Sequence, residues 1–161
     1  MRIARILSAV GLVVALAFTA AAAQNPIPSG VKTPLPATLK IETADSSLPP
    51  DAAIFSGIWV GQWNTNPPRD ATVVVHKVRP GGSGGRYRAD FIYSWGAFGT
   101  GAYEGQRPGF IEVDGQIRNG ELSGQYSRVS LRFRRNDDGS LAGTWQTNFG
   151  HFQATFVRAT D

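Results

Sequence analysis

Cysteine is absent from all 161 residues, so no disulfide can staple the chain and no lipidated cysteine can anchor it. Histidine occurs only at positions 76 and 151. Neither lies in a ligand-spaced motif, so His76 and His151 read as ordinary strand residues and no metal or cofactor is expected. No Asn-x-Ser/Thr triplet occurs, which removes a signal for N-linked glycosylation. Helical periodicity is missing as well, apart from a single turn that Pro50 to Phe55 could make. Charge of one sign is also scarce. Arg2 and Arg5 belong to the N-terminal segment, and removing them leaves 14 Lys+Arg against 12 Asp+Glu, a net +2. That excess is too small to imply nucleic acid or an anionic membrane surface as a partner.

What is present begins with MRIARILSAVGLVVALAFTAAAAQ. A basic start, an apolar run from Ile6 to about Phe18 and Ala21-Ala22-Ala23 before Gln24 follow the order of a secretory signal peptide. A retained anchor would need a bulky apolar end where the alanines stand. Residues 1–23 are therefore expected to be a leader, and the remainder to be exported to the periplasm or beyond, with no membrane span of its own. Residues 24–52 form a proline-rich linker or arm, in which six prolines between Gln24 and Pro50 remove donors that a sheet ladder would require.

Residues 53–161 show short alternating runs separated by Gly, Asn and Asp. In GRYRADFIYSW, Tyr87, Ala89, Phe91, Tyr93 and Trp95 share one face and Arg86, Arg88, Asp90 and Ser94 the other, with Ile92 the exception. In RVSLRFRR, Val129, Leu131 and Phe133 alternate with Arg128, Ser130, Arg132 and Arg134 in the same way. Asn119-Gly120 suits a two-residue hairpin, and Asp137-Asp138-Gly139 a longer one. Eight strands are expected, near 55–63, 71–79, 86–95, 110–117, 121–127, 128–135, 140–147 and 151–158. Short joints favour an all-β, antiparallel, up-and-down eight-stranded barrel, since closure removes exposed edges.

A weak repeat supports this. GELSGQYS and GSLAGTWQT share G-x-L-x-G followed two residues later by an aromatic, and SGIWVGQW is a looser relative. Residues two apart share a face, so each glycine stands between two large inward groups, where it leaves space for a neighbour or lets the strand bend.

Gly57-Ile58-Trp59 resembles the G-x-W signature of lipocalins and the wider calycin group of barrels. The resemblance implies that Trp59 closes the barrel floor and that Arg158, near the end of the last strand, covers it. Gly57, Trp59 and Arg158 are then structural. VVVHKV, IYSWG and G-x-L-x-G-T together look like small lipocalin-like domains of uncharacterised exported bacterial proteins. The loop motifs and disulfides of lipocalins are absent, as are the tryptophan-rich loops of avidin-like biotin binders, whose chains also open on G-x-W-x-x-Q.

Other motifs carry less. Gly81 to Gly85 matches G-x-S-x-G, but a strand rather than a helix follows, so a hairpin loop is expected in place of a nucleophile elbow. Glu112 and Asp114 share one face of a strand opposite Ile111, Val113 and Ile117, as solvated acids would; general acid/base work by this pair is the least favoured alternative. Arg132, Arg134 and Arg135 read as a solvated edge. The aromatic residues Trp59, Trp63, Tyr87, Phe91, Tyr93, Trp95, Phe133 and Trp145 are expected to point inward. A barrel of eight strands is wide enough to be filled by such rings or to hold one small ligand. The expected function is non-catalytic binding of a small, partly apolar or amphipathic molecule, with Trp63, Tyr93 and Trp95 as its contacts, because buried phenols and indoles need hydrogen-bond partners. The alternative is a filled barrel that acts through a protein partner in the cell envelope.

Overall fold

A computed structural model describes residues 28–82, 84–97 and 106–160. The leader-like segment 1–23, the arm up to Ile27 and Ser83 of the glycine-rich loop lie outside the described residues. One helical turn, α1 (Pro50–Ala53), precedes eight strands: β1 (Gly57–Trp63), β2 (Arg69–Pro80), β3 (Tyr87–Trp95), β4 (Gly109–Arg118), β5 (Glu121–Tyr126), β6 (Val129–Arg135), β7 (Leu141–Thr147) and β8 (Gly150–Arg158). Each strand pairs antiparallel with its sequence neighbours, and β8 returns to pair with β1 through Trp59↔Arg158, Val60↔Val157 and Gly61↔Phe156. The result is the closed up-and-down barrel that the alternation predicts. Asn119 (φ 51°) and Gly120 (φ 71°) both adopt the left-handed conformation that a two-residue hairpin of primed type demands, which Asn-Gly tolerates best.

The inward rows are apolar and closely packed. Trp59, Trp63, Val73, Val75, Phe91, Tyr93, Leu122, Leu131, Phe133, Leu141 and Phe156 are all at most 1% exposed and belong to one cluster. Three phenylalanines cross the barrel as a chain of edge-to-face rings. Phe91 and Phe133 have centroids 6.2 Å apart at 87°, and Phe133 and Phe156 5.3 Å apart at 88°. Trp63 extends the chain, 5.2 Å from Phe156. Such geometry places ring edges on ring faces, the favoured arrangement of the aromatic quadrupole.

The repeated glycines make room for these rings. A Cβ on Gly143 would stand 2.6 Å from the Phe156 ring, and one on Gly61 would stand 2.9 Å from it. On the opposite wall a Cβ on Gly115 or Gly124 would come within 2.6 Å or 2.7 Å of Phe91. The G-x-L-x-G-x-aromatic pattern is therefore a packing device: the second glycine of each repeat yields its side-chain volume to a phenylalanine from another strand.

The proline-rich arm lies against the outside of β1, β2 and β3. Leu39 packs with Ile58, Val74 and Ile92 in a second cluster, joined by Val31, Leu35 and Ile41. The buried Thr33 hydroxyl donates to the Thr72 hydroxyl at 2.7 Å, the Ser94 hydroxyl donates to the Pro34 carbonyl, and the Glu42 amide donates to the His76 carbonyl at 2.8 Å. This covering explains two irregularities in the sequence. Ile92 breaks the alternation of β3 because its outward side is under the arm. VVVHKV is apolar on both faces because Val73 and Val75 point inward, Val74 faces the arm, and a bulge between Val75 and Lys77 returns Val78 to the interior row, opposite Ala89. Beyond the bulge, Arg79 donates to Asp90 across the strands, and that bond holds the Asp90 carboxyl below its ordinary pKa.

Two predictions follow from this packing. Gly124→Ala should destabilise the fold by about 1–3 kcal/mol through overpacking, measured as a lowered urea midpoint, whereas Gly30→Ala, with nothing within 4 Å of the added Cβ, should leave it unchanged. Because the folded Asp90 carboxyl titrates below its unfolded value of about 3.9, its ion pair contributes stability above that pH and loses it as pH falls through the folded value. Asp90→Asn should flatten this acid limb in denaturation curves taken at successive pH values.

Candidate functional site

Antiparallel order sorts the connections between two ends. The floor receives α1, the β2–β3 loop and the β4–β5 and β6–β7 turns, while the mouth receives the β1–β2 turn, both ends of the β3–β4 connection and the β5–β6 and β7–β8 turns.

The floor is sealed. The Trp59 indole N–H donates to the Phe55 carbonyl at 2.8 Å, and the Arg158 guanidinium carbon lies 4.4 Å from the Trp59 ring centroid. Arg158 also donates to the carbonyls of Ser56 (2.7 Å) and Ile54 (2.6 Å), so one side chain ties the last strand to the entry of the first. Partial desolvation lowers its pKa from the ordinary arginine value. Gly57 has φ +122°, and a Cβ there would stand 2.4 Å from Arg158 Nη1, so the position favours glycine for both conformation and space. The three residues singled out by the resemblance thus meet in one contact.

The mouth gathers a second group of aromatic residues. Trp63, fully buried, donates its indole N–H to the Tyr93 hydroxyl at 2.9 Å. Above that pair, Trp95 and Tyr126 are half-buried and lie in tilted contact with Tyr93, with centroids 5.7 Å and 5.8 Å away. Trp145 stands 5.9 Å from Trp63 and 4.9 Å from Phe152. Of the three residues expected to contact a ligand, the structure therefore brings all into one cluster, but at different depths: Trp63 and Tyr93 below, Trp95 at the rim. The protein itself supplies hydrogen-bond partners for two of these indoles, since Trp63 donates to Tyr93 and Trp95 donates to the Arg107 carbonyl at 3.0 Å.

One residue here escapes sequence reasoning. Arg69 is only 3% exposed, with its guanidinium carbon 5.9 Å from the Trp95 centroid and 5.7 Å from that of Trp145. It donates to the Gly96 carbonyl at 3.0 Å and to Gln106 Oε1 at 3.4 Å. In the run NTNPPRD it reads as a turn residue, yet β2 begins at Arg69, and the parity of Ala71 and Val73 already directs it inward. Phe149, on the β7–β8 turn, adds an apolar ring at the same rim and is 73% exposed.

The remaining candidates are dispersed. His76 lies at the bulge of β2 and His151 at the mouth end of β8, and no group of three His, Cys, Asp or Glu that could hold a metal occurs among the described residues. Glu112 and Asp114 both face outward, exposed, and Asp114 accepts from Arg88. Among the described residues no helix is long and apolar enough to cross a membrane. Chemically, the mouth offers ring surface, phenol hydroxyls and one enclosed guanidinium, which suits recognition of an apolar or amphipathic group. Compared with family models, curated proteins and solved structures, the chain matches none.

Replacing Arg158 by Met should cost about 1–3 kcal/mol, because it removes charge-assisted hydrogen bonds as well as the contact with Trp59. Arg158→Lys should rescue little of this, since one ammonium lacks the planar fork that reaches two carbonyls. Chemical denaturation of the three proteins measures both effects.

Proposed function

We propose that the protein is a lipocalin-like, non-catalytic binding protein that acts outside the cytoplasm and seats a small, partly apolar ligand at the barrel mouth. The observation that carries this reading is the rim stack in which half-buried Trp95 and Tyr126 lie on Tyr93, with Arg69 enclosed beside Trp95. The ring layer of Trp63, Phe156, Phe133 and Phe91 beneath it limits how deep a ligand can enter. A bound molecule would therefore lie across Trp95 and Tyr126, and would reach Trp63 only through Tyr93. The Gly57-Trp59-Arg158 contact supports the lipocalin-like assignment, and the leader-like N-terminus supports export to the periplasm or the exterior.

A second reading has support from the same ring layer. A filled barrel can serve as a rigid scaffold for a protein partner in the cell envelope. The arm would take part only indirectly, since it shields Val74 and Ile92 and its deletion would expose them.

Native mass spectrometry of the chain from an exporting host, purified without detergent, separates the two. A reproducible additional mass, released on denaturation, is the expected result; a bare chain in complex with an envelope protein would favour the scaffold. With the released compound in hand, Trp95→Ala should weaken binding about tenfold, or about 1.4 kcal/mol, at unchanged circular dichroism. Tyr93→Phe is a poorer probe. It removes the acceptor of the buried Trp63 N–H and should itself cost about 1–3 kcal/mol of stability.

A further inference from the structure

A groove of about 870 Å³ runs over the outer face of β3, β4, β5 and β6, away from the mouth. It overlies the interior ring layer. Gly115 and Gly124 let β4 and β5 approach Phe91, and both glycines form part of the groove. Around this depression stand Arg86, Arg88, Arg118, Arg132 and Arg134, against which the lining sets only Asp114 and Glu121; five cations less two anions leave +3.

The strand register arranges these charges as two walls. Arg88 lies opposite Gln116, Gln116 opposite Ser123, and Ser123 opposite Arg132, so Arg88 and Arg132 are three strands apart. At a strand spacing of about 4.8 Å the walls are separated by about 14 Å. Asp114 is taken up by Arg88, and Glu121 is flanked by its cross-strand partners Arg118 and Arg134. Arg86 and Arg132 make no ion pair among the described residues. Between the walls, Gln116, Ser123 and Gln125 present amide and hydroxyl groups.

We propose that this groove binds an acidic polysaccharide, whose carboxylates are held by the arginine walls and whose hydroxyls are met by the amides and hydroxyl of the floor. Arginine is suited to bidentate recognition of carboxylate. Unpaired bases of a nucleic acid would require rings on which to stack, and the one ring in the lining, Tyr87, shares the inward parity of Phe91. A protein partner would require apolar anchors at the centre of the surface, and polar groups and glycine occupy it instead.

Titration calorimetry with a tetrasaccharide of galacturonic acid, at 50 and 300 mM salt as chosen concentrations of about those values, tests the proposal. Binding is expected that weakens with salt, that an uncharged tetrasaccharide of glucose does not reproduce, and that falls at least tenfold in R132A/R134A with an unchanged melting temperature. Arg86→Ala, on the other wall, should also weaken it, and Trp95→Ala at the mouth should not. Because these arginines are exposed, their loss should leave the fold intact; if R132A/R134A does not fold, Arg86→Ala decides alone. Absence of binding, equal binding of the neutral sugar, equal potency of inorganic phosphate, tighter binding of an oligothymidylate, or indifference to the arginine substitutions would each overturn it.

Discussion

The fit of two phenylalanine rings against four glycines governs the rest of this molecule. Eight strands enclose an interior that side chains alone can fill, and Phe156, Phe133 and Phe91 span it from wall to wall. Rings of that size can meet only if the facing strands carry no side chain at the points of contact. Gly61 and Gly143 flank Phe156 at the seam where β8 joins β1 and β7, and Gly115 and Gly124 receive Phe91 on the other side. The same constraint sets the depth available at the mouth. Closure at the floor, through Arg158 on Trp59, then fixes the remaining seam.

Two surfaces result, with different chemistry. The mouth is aromatic and encloses the Arg69 guanidinium between two indoles, the setting of the proposed ligand. The outer groove is polar, open and rich in arginine, the setting proposed for repeated anionic groups. Their separation by the barrel wall means that occupation of one need not exclude the other. The arm belongs to neither: it covers the apolar stripe Ile58, Val74 and Ile92, and would keep that stripe from acting as an association surface.

Much of the fold was legible in the sequence because an antiparallel barrel writes its inside and outside as period-two alternation, as in Tyr87 to Trp95. The Gly57, Trp59 and Arg158 contact was pointed to by resemblance, with barrel closure setting the end of the last strand beside the start of the first. The packing of the arm left a trace that sequence reasoning did not use: Ile92 and Val74 are apolar where the outward face should be polar. Arg69 was hidden by its neighbours, because prolines and asparagines mark a turn and a charged residue beside them reads as solvated. The arginine walls were read as a solvated edge because parity tells which face a residue takes, and says nothing of which outward residues line one groove.

The most direct test of the ring-and-glycine layer is a nuclear Overhauser spectrum of the labelled protein in solution. The account predicts cross-peaks from the Phe156 ring to the α-protons of Gly61 and Gly143 and from the Phe91 ring to those of Gly115 and Gly124, with ring-current displacement of the same protons. Glycine α-protons at ordinary positions, with contacts to solvent in place of the rings, would contradict it.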